Sequence, residues 1–223
     1  MARSMMRRVF GATGLVLVLL LVACDGGGHE ATRAMLPWQI ERLPDGYSRV
    51  FGIEPGRSSL LQAAKSLGQH YELALFVNPD QTATLEAFYS EVTLAGLSAK
   101  IVLTLELSQH DAMEMRQRAV SHEKLESGEE KLSLAPQDAI RARNSVVTAI
   151  GYIPYADLNE ALVSARFGKA EQRVEDPAGK VHFLYPDKGL DLLLDDDGKE
   201  LLQYVAPREF SRLRKPLQPR VNG

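Results

Sequence analysis

The chain has 223 residues, 45% of them hydrophobic and 25% charged, with 26 Lys and Arg against 29 Asp and Glu for a formal charge of −3. That content suffices for a sizeable core and excludes a disordered body, and the slightly acidic balance argues against nucleic acid as a partner. With one cysteine, Cys24, there is no internal disulfide, so stability must come from packing.

Arg3, Arg7 and Arg8 precede residues 9–22, a run that is apolar or small and holds no acid. This is the layout of an export signal, and the run falls short of the roughly 18 apolar residues of a spanning helix. It ends in Leu21-Val22-Ala23-Cys24, which resembles the lipobox of bacterial lipoproteins. The resemblance implies a signal peptide over 1–23, a lipid anchor with palmitate on Cys24, and a position on the periplasmic side of a bacterial membrane. Asp25 resembles an inner-membrane retention signal and leans the expectation that way, with the outer membrane still open. Two acyl chains hold far better than one, since each buried methylene contributes about 0.8 kcal/mol. Losing residues 1–23 removes Arg3, Arg7 and Arg8 and no acid, so 26 basic side chains fall to 23 against 29 acidic ones and the charge moves from −3 to −6. Residues 24–36, opening Asp25-Gly26-Gly27-Gly28, read as a flexible tether with an r.m.s. reach of roughly 20 Å.

From there the pattern predicts an α+β fold: antiparallel meanders covered by short helices, in two similar halves at 37–120 and 136–223, joined by a polar connection at 121–135. Residues 38–43 and 47–53 read as a hairpin through Pro44-Asp45-Gly46, a turn signal. Ser59 and Gln62 have capping-box spacing ahead of a helix that Gly68 closes. Residues 71–77, 85–94 and 100–107 read as strands, the last with Ile101, Leu103, Leu105 and Leu107 on one face. Ser108 and Asp111 open a second helix, 109–120, and Pro136 suits the first position of a third, running to Arg143. Residues 146–153 follow as a strand. Asp157 and Glu160 repeat the capping-box spacing before a fourth helix closed by Gly168. Strands at 181–185, 189–194 and 199–205 complete the chain, with a short one near Gln172 and a hairpin turn at Asp195-Asp196-Asp197-Gly198.

The helix ends Leu67-Gly68 and Phe167-Gly168, together with Val181-His182-Phe183-Leu184-Tyr185, give an order that resembles the SmpA/OmlA lipoproteins, accessory subunits of β-barrel assembly, and the tandem domains of β-lactamase inhibitor proteins. It covers about 50–107 and 149–206. The proline often found after the helix-closing glycine in SmpA/OmlA proteins is absent, with Gln69 and Lys169-Ala170 standing there. Architecture carries over more readily than function.

Catalytic chemistry finds no foothold. There is no Gly-x-Ser-x-Gly elbow, no convincing Ser-x-x-Lys set and no phosphate loop. His29, His70, His110, His122 and His182 are scattered without zinc spacing, and the acidic run ending at Gly198 lacks the glutamate six positions on that an EF-hand needs, where Tyr204 stands. No enzyme, metal or cofactor is expected. The mixture His182, Phe183, Tyr185, Asp187, Lys188, Asp191 and Tyr204 suits a partner-binding surface, although alternation more readily turns Phe183 and Tyr185 into the core. Arg208, Arg212, Arg214, Lys215 and Arg220 form a basic tail suited to anionic headgroups. The leading expectation is a lipid-anchored, non-enzymatic envelope module that binds another envelope protein and supports assembly. The alternative is a periplasmic module for a small ligand or polymer fragment between the halves, and a cell-wall hydrolase stands third.

Overall fold

A computed structural model describes residues 35–176, 179–195 and 200–217. The signal peptide, Cys24, the tether to residue 34, Asp196 to Gly198 of the last turn, and Arg220 lie outside the described residues.

Around Pro44, β1 (Glu41–Leu43) and β2 (Tyr47–Arg49) form the expected hairpin, in the register Leu43 to Tyr47. Asp45 takes the left-handed conformation at φ 61°. Helix α1 (Leu60–Leu67) forms as its box predicts: the Ser59 hydroxyl accepts from the Gln62 N–H, and the Gln62 side chain accepts from the Ser59 N–H at 2.8 Å. Its apolar stripe buries Leu60, Ala63, Ala64 and Leu67. The remaining elements are β3 (Glu72–Val77), β4 (Ala83–Leu94), β5 (Leu97–Leu105), α2 (Gln109–Arg118), β6 (Ser121–Lys124), β7 (Glu130–Ser133), α3 (Pro136–Asn144), β8 (Val147–Pro154), α4 (Glu160–Phe167), β9 (Gln172–Glu175), β10 (Val181–Tyr185), β11 (Leu190–Leu194), β12 (Leu201–Val205) and α5 (Ser211–Arg214).

The fold is α+β, as the periodicity predicts. Strands β3 to β12 build one antiparallel ten-stranded sheet in the order β6-β7-β3-β4-β5-β8-β12-β11-β10-β9. Strand β5 pairs with β8 from Ala99–Pro154 to Leu105–Val147, and β8 pairs in turn with β12. The two segments expected as separate halves therefore share a sheet. They also share a core, because one cluster of buried residues includes Phe51, Leu60 and Ile101 together with Ile150, Phe167 and Phe183. One corner is alike in both: the Tyr89 hydroxyl donates to the Gly68 carbonyl at 3.2 Å, and the Tyr185 hydroxyl to the Gly168 carbonyl at 3.1 Å. The segments before the two helices differ, since β2 sits in the small hairpin while β8 runs through the middle of the sheet.

Three sequence expectations change. Residues 121–135 contain a β-hairpin, not a loose connection: β7 adds to the sheet beside β3, with Leu132 fully buried opposite Leu75. Its polar composition is that of a protected sheet edge, where β6 is exposed throughout and charged side chains discourage further pairing. Helix α4 is capped by Asn159, whose side-chain oxygen accepts from the Leu162 N–H at 2.8 Å, while the Leu158 N–H donates to the buried carboxylate of Glu200 at 2.9 Å. Asp157 is thereby left at the surface. The described part of the basic tail, to residue 217, is packed: Phe210, Leu213 and Leu217 form a second cluster with Leu184 and Val205. Their spacing is helical, three then four residues apart.

Candidate ligand-binding cleft

That second cluster explains why the mixed surface anticipated on β10 to β12 does not exist as one. Helix α4 covers one side of β10 and the C-terminal segment the other, so His182, Phe183, Tyr185, Asp191 and Tyr204 are all buried. Phe183, Tyr185 and Tyr204 belong to the main core. His182 Nδ1 lies 3.0 Å from each carboxylate oxygen of Asp191, and its Nε2 lies 3.8 Å from Asp176. Burial pulls the imidazole pKa down, but the hydrogen bond and charge of Asp191, with Asp176 behind them, outweigh it and raise the value above 6.5. The contact holds β10 to β11, and it is a buried ion pair when the imidazole is protonated. Asp187 remains exposed and pairs with Arg42 at 3.5 Å. Lys188 donates through Nζ to the Phe167 carbonyl at the end of α4, where a cation suits the helix dipole; burial and then Arg42 lower its pKa. Among the described residues no cluster of His, Cys, Asp and Glu has metal-binding geometry, and no helix is long and apolar enough to cross a membrane.

A concavity lies at the seam of the sheet. A cleft of about 520 Å³ opens between α4 and the strands β5, β8 and β12, a volume within the range of roughly 300–1,000 Å³ typical of small-ligand sites. Tyr152 and Leu202, a cross-strand pair, supply part of its lining. Along α4, Leu162 and Arg166 are one turn apart and border the cleft, while Val163 and Phe167 bury beside them. The loop after β8 closes another side, fixed by the Tyr155 N–H to the Ser98 carbonyl at 3.1 Å and by the Tyr155 hydroxyl to the Ser90 carbonyl at 2.8 Å.

The remaining wall is Pro37-Trp38, close to where the described chain begins. The Tyr204 hydroxyl, 0% exposed, donates to the Pro37 carbonyl at 2.9 Å and ties this segment to β12. Burial raises the pKa of that phenol far above its ordinary value, so it stays a donor. Trp38 meets Phe167 edge to face at 6.3 Å, and the Arg166 guanidinium lies 4.8 Å from the indole centre. Within the lining, charge is confined to the exposed Asp157 and Arg166, and there is no histidine or cysteine. The arrangement offers apolar contact with a polar rim; it offers no nucleophile paired with a base.

None of the seven residues expected at a partner surface lines this cleft. Its lining comes from four stretches far apart in sequence, and the available signals were weak: the single tryptophan and the apolar-to-cationic step from Leu162 to Arg166. Comparison with family models, with curated proteins and with solved structures returns no match. The resemblance to SmpA/OmlA lipoproteins therefore rests on the short motifs quoted for it.

Proposed function

We propose that the protein is a lipid-anchored, non-enzymatic binding module on the periplasmic side of a bacterial envelope, and that it captures an apolar ligand in the seam cleft. The observation that carries this reading is the cleft, apolar in its depth, ionic at its rim and walled by Trp38. Export and anchoring rest on Arg3 to Cys24, and the short stretch from Cys24 to Trp38 keeps the cleft near the membrane. The adaptor reading, in which another envelope protein is the ligand, finds less support. The large apolar side chains left exposed among the described residues, Leu61, Met113, Val120, Ile140 and Tyr155, are few, and exposed apolar side chains are ordinary on any protein surface.

The test uses the full chain in its own membrane with a photoreactive residue replacing Leu162. The account expects the chain to incorporate labelled palmitate unless Cys24→Ala is introduced, and expects a crosslinked adduct from the cleft. Capture of a small molecule supports ligand binding, and capture of a protein transfers the site to the adaptor reading. No adduct of either kind overturns the proposed role of the cleft, and palmitate on the Cys24→Ala chain overturns the anchor.

A further inference from the structure

We infer that the ligand of the seam cleft is a single acyl chain carrying an anionic end group, a long-chain carboxylate or its chemical equivalent, drawn from the nearby membrane. This deepens the binding role proposed above and rests on it.

Three features lead there. The lining is largely apolar, with Leu97, Leu162, Val163, Phe167 and Leu202 around the Tyr152 ring and its hydroxyl, so most of the buried part of a ligand must be hydrocarbon, because a polar group out of reach of that hydroxyl would lose its water without gaining a partner. A volume of about 520 Å³ accommodates one extended chain folded into the cleft, which sets it apart from a two-chain lipid. The rim supplies the charge: among the described residues Arg166 has no carboxylate within ion-pair distance, and its described partner is the face of Trp38. A guanidinium stacked on an indole keeps its N–H edge free for a carboxylate or phosphate, which it can grip with two parallel bonds. Asp157, also exposed on the lining, repels any anionic end group, so the anion must sit on the Arg166 side of the rim. The stretch from Cys24 to Trp38, at about 3.5 Å per residue, cannot exceed roughly 50 Å, which keeps the cleft within reach of acyl chains if Cys24 is anchored.

The chain holds one tryptophan, Trp38, and that residue reports directly on the cleft. The experiment titrates the chain from Asp25 onward, which retains every described residue, with a brominated stearate and follows Trp38 emission. Expected is saturable quenching at one equivalent, weakened roughly three- to fivefold by Arg166→Gln, in keeping with an exposed ion pair, and abolished by Leu162→Asp in a variant whose far-ultraviolet circular dichroism is unchanged. Brominated stearyl alcohol should bind wild type about as weakly as stearate binds Arg166→Gln. Absence of saturable quenching, or quenching indifferent to both substitutions, overturns the inference. So does a photocrosslink from position 162 to the chain's own Cys24 lipid, which would make the anchor the occupant. If stearate fails while the photocrosslink captures a different small molecule or a protein, the acyl assignment falls and the cleft survives as a binding site.

Discussion

Replacing Tyr204 with Phe should separate the wall of the cleft from its floor. The substitution removes one oxygen and keeps the ring, so the edge-to-face packing against Phe51 at 5.8 Å survives. What is lost is the hydrogen bond to the buried Pro37 carbonyl at 2.9 Å. A buried acceptor left without a donor costs about 1–3 kcal/mol; because Pro37 lies close to the start of the described chain and can shift, about 1–2 kcal/mol is the expected loss. For a domain of this size that lowers the thermal midpoint by about 2–8 °C. Tyr152→Phe is the control, since Tyr152 is also buried and keeps its stacking on Phe51 at 5.2 Å, and it should change stability by less than about 0.5 kcal/mol. Thermal unfolding read by circular dichroism gives the two differences, and Trp38 emission in the folded state should shift to the red in Tyr204→Phe alone. Equal stabilities and unchanged emission would refute the claim that this hydroxyl fastens the wall.

Two further perturbations address the frame. Because His182 holds its proton more tightly in the fold than its ordinary value, its stabilisation is complete below about pH 6.5 and is lost as pH rises through the folded-state value. The stability advantage of wild type over His182→Asn should therefore shrink as pH rises above about 6.5, and a ring titration by NMR with a midpoint at or below 6.5 would contradict it. Gly189→Ala would bring a β-carbon to 2.0 Å from the Val205 carbonyl at φ +67°, an overlap backbone must relieve, and should cost above roughly 4 kcal/mol. Gly68→Ala, at φ +96° and ψ 173° with nothing within 4 Å, bears backbone strain alone, in a region essentially reserved for glycine, and should cost about 1–3 kcal/mol. Urea midpoints compare them, and equal losses would dismiss the steric argument.

Local signals carried the elements well. The Ser59–Gln62 box, Pro136 at a helix start and the alternation through Ile101, Leu103 and Leu105 each report a neighbour-to-neighbour preference, and those elements form where such preferences put them. Long-range pairing was not legible. The joining of β5 to β8 depends on which edges remain available after both meanders fold, and no local pattern encodes that choice. Burial of β10 on both faces went unseen because Phe210, Leu213 and Leu217 stand among arginines that dominate the composition there. Hence His182 and Asp191, polar and read as surface, became a buried pair. The cleft was hidden for the same reason: Trp38, Ser98, Tyr155 and Arg166 meet through tertiary packing alone.

The most direct test of the central claim is native mass spectrometry of the full chain released from its own membrane, beside Leu162→Asp prepared in the same way. A single non-covalent adduct on wild type, absent from the variant, is the predicted result. A chain carrying the same small-molecule complement with and without the Leu162 side chain would contradict the assignment of the seam cleft as the binding site.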